Sequence, residues 1–342
     1  MVPPLENRVW LDWVENVVGI STGNSTPRET RPSLFSCQID DQPDHLVPDY
    51  ALSVLEDDSG ELVFNTDCTF GDASEVPAEI REKPFLADCF DWRGPIAWVP
   101  HPATGALQLF WLSEALQGTL ERVRSGLVLP SELDPHRQKT LAMAGILVRT
   151  GARPETWEKN LATATVQFRE RGYAPVAGLI HAFHVSALRR YYRHQVRTGR
   201  MILGDGQSCR RYVAHNDGVA RFFHHQLAAT VTRLAGQPVK PSYVYAASYQ
   251  EGAKLDCHTD REQCEFSITF CLDYSPEPVL ATGWPLQLHT GQGTVTVYQA
   301  LGDALIYRGR RLPHSRRTLG PAHTSTSIFF HYVREDFSGP LD

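Results

Sequence analysis

After Pro238 the chain reads as strand upon strand, and no other feature restricts its fold so tightly. The segments "SYVYAASY", "EFSITFCLDY", "LQLHT", "VTVYQ", "DALIYRG" and "STSIFFHYV" are short, rich in β-branched and aromatic residues, and separated by Gly, Pro and Asp. Six such segments without an intervening helix favour a jelly roll or barrel over a parallel α/β sheet. Helices are expected just upstream. "YAPVAGLIHAF" reads as a strand, and "HVSALRRYYRHQVRTG" as a helix with Val185, Leu188, Tyr192 and Val196 on one face. "DGVARFFHHQLAATVTRLAG" carries a second apolar stripe (Val219, Phe222, Phe223, Leu227, Val231, Leu234), with Gly236 as its stop. Helices first and strands later give an α+β layout, an antiparallel barrel buttressed by helices.

The first 170 residues differ in texture. Apolar segments on either side of Asp58–Ser59–Gly60 suggest a hairpin, and "GPIAWVP" and "GALQLFWL" flank a turn at His101–Gly105. "QKTLAMAGILVRTG" and "ETWEKNLATATVQFRERG" then read as helices, each closed by a glycine. No chemical motif stands out here, and His45 and His101 are isolated. The expected organisation is a mixed β/α region over 1–170 and a barrel domain over 171–342.

A formal charge of −6 argues against general nucleic-acid binding, which needs a strongly basic face. The seven cysteines are odd in number and form no C-x-x-C pair. Free thiols in a reducing compartment are therefore expected, rather than a disulfide scaffold or a structural zinc site. "MVPPLENRVWLDWVENVV" lacks the basic start and apolar stretch of a signal peptide, and no apolar run approaches the ~20 residues that cross a bilayer. The expectation is a soluble, cytoplasmic protein with no membrane partner.

Chemistry enters at "LDCHTDREQCEFSITFCLDYS". Side chains two apart on a strand share a face, so His258 and Asp260 can both point into a barrel mouth while Cys257 and Thr259 turn away. The pattern alone is weak. It recurs at His215–Asn216–Asp217, where the acid or the asparagine falls at a helix N-cap position. His314, after "GDALIYRGRRLP", supplies a third ligand at the end of another strand. Two imidazoles and a carboxylate on one face of an octahedron leave the other positions open, which suits Fe(II) that must bind a cosubstrate and O₂.

At these residues the sequence resembles a family. "YQEGAKLDCHTD", from Tyr249 to Asp260, resembles the Tyr-x-x-Gly…His-x-Asp signature of the prolyl-hydroxylase-like iron(II)/2-oxoglutarate dioxygenases. "GDALIYRGRRLPHSRR" is similar to their distal-histidine segment, and "STSIFFHYV" to their closing strand, so the resemblance covers about residues 173–335. It implies a double-stranded β-helix (a cupin-like jelly roll), with His258, Asp260 and His314 as iron ligands and 2-oxoglutarate and O₂ as cosubstrates. Tyr249 is then a 2-oxoglutarate contact or a core aromatic, and Gly252 makes a tight turn. The implied reaction is hydroxylation of an unactivated C–H bond in a small molecule or peptide, releasing succinate and CO₂. Because halogenases of the family lack the carboxylate, Asp260 favours hydroxylation, desaturation or cyclisation.

Two departures stand out. Leu255 replaces a second tyrosine, and Thr324–Ser327 stand where the family carries the basic residue for the distal carboxylate of 2-oxoglutarate. Arg316 and Arg317 are the substitutes, Arg316 sharing strand parity with His314, with Thr324 and Thr326 assisting; both arginines can equally be solvated loop charges. Trp284 and Tyr298 are candidates for the mouth, and Arg308, Arg310 and Arg311 for contacts to an acidic substrate. Alternatives are a cupin-like metalloprotein with another metal or no oxo acid, and a non-catalytic binding barrel.

Overall fold

The expected strand segments form, and the computed structural model of the chain shows how they pair; it describes residues 34–40, 42, 60–71, 76, 78–86, 89–101, 104–150 and 155–342. Up to residue 171 its elements are β1 (Leu62–Phe64), β2 (Thr69–Gly71), the single-turn helix α1 (Ala78–Arg81), β3 (Ile96–Pro100), β4 (Leu107–Trp111), α2 (Glu114–Arg124), α3 (Pro135–Met143), β5 (Leu147–Arg149) and α4 (Glu155–Arg171). β3 and β4 are the antiparallel pair expected around His101, and β2 adds to β3. The helix expected over 138–151 is half wrong. α3 ends at Met143, Gly145 takes φ 77°, and Leu147–Arg149 leaves as a strand. A left-handed glycine stops a helix, and the apolar, partly β-branched stretch after it is better used in a sheet. There β5 pairs with β1. The first arm of the hairpin expected around Asp58–Gly60 lies outside the described residues.

The second half carries β6 (Tyr173–Val176), α5 (Ala182–Arg197), β7 (Ile202–Leu203), β8 (Arg211–His215), α6 (Gly218–Gln226), α7 (Ala228–Ala235), β9 (Val239–Tyr249), β10 (Leu255–His258), β11 (Phe266–Ser275), β12 (Leu286–Thr290), β13 (Gly293–Val297), β14 (Ala304–Tyr307), β15 (His314–Arg316) and β16 (Thr324–Arg334). The long helix expected after Asp217 is two, α6 and α7, meeting at Leu227. Asp217 caps α6 by accepting from Ala220 N, and also accepts from the hydroxyls of Tyr191 and Tyr192. Its carboxylate is fully engaged as a structural group.

Two antiparallel sheets result, one of seven strands in the order β6-β14-β11-β16-β9-β8-β7 and one of four, β10-β15-β12-β13. The chain is thus α+β and sheet-rich. Alternation sorts the two faces of the larger sheet. Ile268, Phe270, Ile306, Ile328 and Phe330 join Leu188, Phe222 and Leu234 of the helices in the main apolar cluster. On the opposite face, Leu305 and Tyr307 meet Leu286 and Leu288 of the smaller sheet. This second face also carries Ser267, Cys271, Ser327 and His331, all buried. A polar interior therefore lies between the sheets, behind a mainly apolar helix-facing layer. Residues 34–342 make one compact unit, and its main cluster runs from Phe35 to Tyr332, so chain on both sides of residue 170 shares a core.

Candidate metal centre

Strand pairing brings the two histidines together. In the β10–β15 ladder His258 and His314 are direct cross-strand partners, and their rings lie 4.4 Å apart. Cross-strand neighbours have β-carbons about 4.5–5.5 Å apart, so the register alone places both imidazoles over one point. Asp260 follows two residues after His258, its backbone N donating to Gly309 O at 3.0 Å. One carboxylate oxygen, Oδ1, lies 3.7 Å from His258 Nε2 and 3.5 Å from His314 Nε2. Those spacings are too long for hydrogen bonds but suit ligands that share one ion about 2.1 Å from each.

The tautomers agree with this. His258 Nδ1 is 2.8 Å from Asp256 O and His314 Nδ1 is 3.0 Å from Leu312 O. A carbonyl only accepts, so each Nδ1 carries the proton and each Nε2 turns a lone pair toward Asp260. Burial, the largest influence, lowers the His314 pKa further and outweighs the opposing Asp260 charge. A neutral imidazole is the form that binds a metal. The residues thus fit a divalent ion by donor set and tautomer, and His314 by its protonation as well.

Behind Asp260 stands a layer that the sequence reading missed. Oδ2 accepts from Ser267 Oγ at 2.7 Å, and the same Oγ lies 3.0 Å from His331 Nδ1. Gly309 closes the other side: a β-carbon there would stand 2.2 Å from Asp260 Oδ2 and 2.5 Å from Ser267 Oγ. Only a residue without a side chain lets the carboxylate sit where it does. Cys264 also comes near Asp260 and His331. Its Sγ contacts the Tyr243 hydroxyl at 3.1 Å, and burial pushes the thiol up to about 12. A protonated thiol is a poor ligand, so this second grouping reads as packing behind the first. Ser267 and His331 were legible as polar residues at inward positions of otherwise apolar strands.

The expected cosubstrate residues separate sharply. Arg316 is 5% exposed and Arg317 is exposed. Arg316 Nη1 donates to Trp284 O at 2.5 Å, its guanidinium lies 4.8 Å over the Trp284 ring, and Nη2 is 3.4 Å from Gln299 Oε1. No carboxylate pairs with Arg316 among the described residues. Tyr249 is buried with its ring against Trp284 at 4.9 Å, and its hydroxyl accepts from Arg211 Nη1 at 2.8 Å. Arg211 was not singled out from the sequence; it is tied to Asp205 at 2.5 Å.

Thr324 and Thr326 need correction. On β16 they share parity with Ile328 and Phe330, the helix-facing side, and Thr326 Oγ1 donates to Ser248 Oγ. Neither faces the interior that holds Tyr249 and Arg316. Trp284 is buried rather than at a mouth, whereas Tyr298 is exposed. Gly252 makes the expected turn before β10 with φ 75°, and Cys257 and Thr259 point outward. All seven cysteines are free, and no helix among the described residues is long and apolar enough to cross a membrane.

No family model and no curated relative matches the chain. Solved structures similar to it include an alpha-ketoglutarate-dependent epimerase, a prolyl-4-hydroxylase and a 2OG-Fe(II) oxygenase family member. One is the non-heme alpha-ketoglutarate-dependent epimerase SnoN from nogalamycin biosynthesis, at 17% identity and TM-score 0.44, covering 52% of this chain and 84% of its own. Another is a Pseudomonas putida prolyl-4-hydroxylase, at 16% identity and TM-score 0.41, covering 51% and 99%. A third is an oxidoreductase of the 2OG-Fe(II) oxygenase family from Burkholderia pseudomallei, at 15% and 0.42, covering 53% and 92%. At these values the likeness carries no argument of its own, and the reading of the site rests on its side chains.

Proposed function

We propose that this protein is an iron(II)- and 2-oxoglutarate-dependent oxygenase built on a jelly roll, acting on a C–H bond of a small molecule or peptide. The observation that carries the reading is the convergence of His258, Asp260 and His314, with both Nε2 lone pairs aimed at one carboxylate oxygen. Two histidines and one carboxylate leave coordination positions for a chelating oxo acid and for O₂, and Fe(II) supplies oxidative chemistry there when bound.

Arg316 supports 2-oxoglutarate in particular. A buried guanidinium without a carboxylate partner is costly. It lies two residues beyond His314 on the same strand, about 6.6 Å along the chain. In this reading the distal carboxylate of 2-oxoglutarate takes its remaining donors, while the keto acid end reaches the triad. Trp284 and Gln299 orient the guanidinium, Tyr249 walls the pocket, and Ser267 and Gly309 hold Asp260. A complete triad favours hydroxylation, or a related desaturation or cyclisation, over halogenation, since Asp260 would fill the position that a halide takes in the family's halogenases.

The test is anaerobic. Fe(II) followed by 2-oxoglutarate gives the visible charge-transfer band of a chelated keto acid in wild type and none in His314→Ala. Arg316→Ala needs at least about tenfold more 2-oxoglutarate, in line with the loss of a charge-assisted bond. Tight iron binding with no band rejects 2-oxoglutarate as the cosubstrate.

A further inference from the structure

The turn between β14 and β15 holds more charge than the metal centre needs. Arg308, Arg310 and Arg311 of this turn line one concave cleft together with Arg334, at the end of β16, and Glu265, just before β11. Glu265 is 3.3 Å from Arg334, which leaves the three turn arginines without an ion pair among the described residues. Arg310 and Arg311 are exposed. The Arg308 guanidinium lies 5.0 Å over the Phe168 ring and 5.7 Å from that of Phe266, so aromatic walls hold it in place. Burial, then repulsion from Arg311, lowers its pKa, with Glu265 compensating only in part. Like charges gathered in a concavity repel, and an anion with several acceptor oxygens relieves them all.

The same turn builds the triad. Arg311 N and Leu312 N both donate to Arg308 O, closing it tightly. Gly309 O receives Asp260 N, and Leu312 O receives the His314 ring. An anion gripped by these arginines is therefore fixed to the backbone that positions two of the three triad residues.

We infer that the cleft of Arg308, Arg310, Arg311 and Arg334, on the turn that positions the triad, is an oxyanion site that takes a phosphate or carboxylate group of the substrate. The substrate role rests on the oxygenase reading; the binding of an oxyanion does not.

Calorimetric titration of the metal-free full chain with inorganic pyrophosphate, and separately with citrate, tests it. Ionic strength is fixed with NaCl, because screening weakens long-range attraction. At least one probe binds wild type, and the tighter names the group as phosphate-like or carboxylate-like. R310E/R311E weakens that binding by at least about tenfold, as expected for lost charge-assisted bonds. R122E/R124E, the same charge change on the exposed side of α2, leaves it within about twofold. Arg316→Ala is titrated in parallel, because Arg316 is itself a carboxylate-binding residue in the oxygenase reading. Binding of neither probe, equal losses in the two double variants, or a loss confined to Arg316→Ala overturns the cleft. Pyrophosphate or citrate binding without the Fe(II)/2-oxoglutarate band removes the substrate role. The band without anion binding removes the cleft and spares the oxygenase reading.

Discussion

Gly309 is where the smallest change reaches furthest. Its missing β-carbon is what allows Asp260 Oδ2 and Ser267 Oγ to approach. Gly309→Ala must push the carboxylate away, and Ser267→Ala removes the donor that orients it. Both substitutions are expected to weaken Fe(II) binding by about tenfold or more, the usual effect of losing an outer-shell partner. Anaerobic titration followed by far-ultraviolet circular dichroism checks this. Unchanged iron affinity in both variants, with folded spectra, denies the layer its role. Spacing put His258 and Asp260 on one face but recurs at His215–Asp217, so only the family resemblance singled them out; parity favoured Arg316, which is buried, over Arg317, which is exposed. Parity also held the answer for Thr326: it alternates in step with Ile328 and Phe330, whose apolar side chains fix the helix-facing side. Position relative to the distal histidine pointed there instead, and alternation was the better guide. Arg211 was missed although its partner Asp205 is only six residues before it, because the short β7–β8 pair whose turn brings them together was not seen.

Among elements, the tie between α5 and β11 is electrostatic as well as apolar. Asp273 accepts from Arg189 Nε at 3.0 Å and from Arg193 Nε at 2.5 Å, and Arg189 is 1% exposed. Arginine charge lowers the Asp273 pKa against the raising effect of its own burial. Asp273→Ala removes the carboxylate that the buried Arg189 shares with Arg193, and the carboxylate of Glu277 that also pairs with Arg189 is half-exposed. A loss of about 3–5 kcal/mol is expected by chemical denaturation, the range seen when one partner of a buried pair is removed; a loss under about 1 kcal/mol contradicts this account. Strands rich in aromatic and β-branched residues were legible as strands. The short β10 and β15, which carry the triad histidines, were placed only as strand ends, and β7 and β8 were not seen. Two to five residues with few apolar positions offer little period to read, and only long-range pairing makes them strands. The same limit explains β5, which local pattern assigned to the helix before it.

For the whole molecule, buried histidines set the response to acid. Burial lowers His184 to about 3 and His331 to about 4, and lowers His224 as well. In the unfolded chain a histidine titrates near 6.5. Below that value the unfolded chain takes up protons that the folded chain refuses, so stability is complete above about pH 6.5 and falls toward pH 4. Each such histidine contributes a slope approaching about 1.4 kcal/mol per pH unit in that window. The thermal midpoint of the metal-free protein is expected to be lower at pH 5 than at pH 7. A midpoint that is equal or higher at pH 5 contradicts the burial of these rings.

β10 is the edge of the four-stranded sheet, and its ladder to β15 is broken by an irregularity between Leu255 and His258. Such a strand is the first to fray. An ion shared by His258, Asp260 and His314 would rivet that edge to its neighbour, so metal occupancy should be written in the exchange rates of backbone amides. Deuterium uptake over 255–258 is expected to accelerate on chelation, while β11 and β16, interior to the seven-stranded sheet, keep their protection. Uniform acceleration would instead mean that the ion supports the whole fold. Confined to the edge, it makes the loss of iron a local loosening that reloading reverses without refolding.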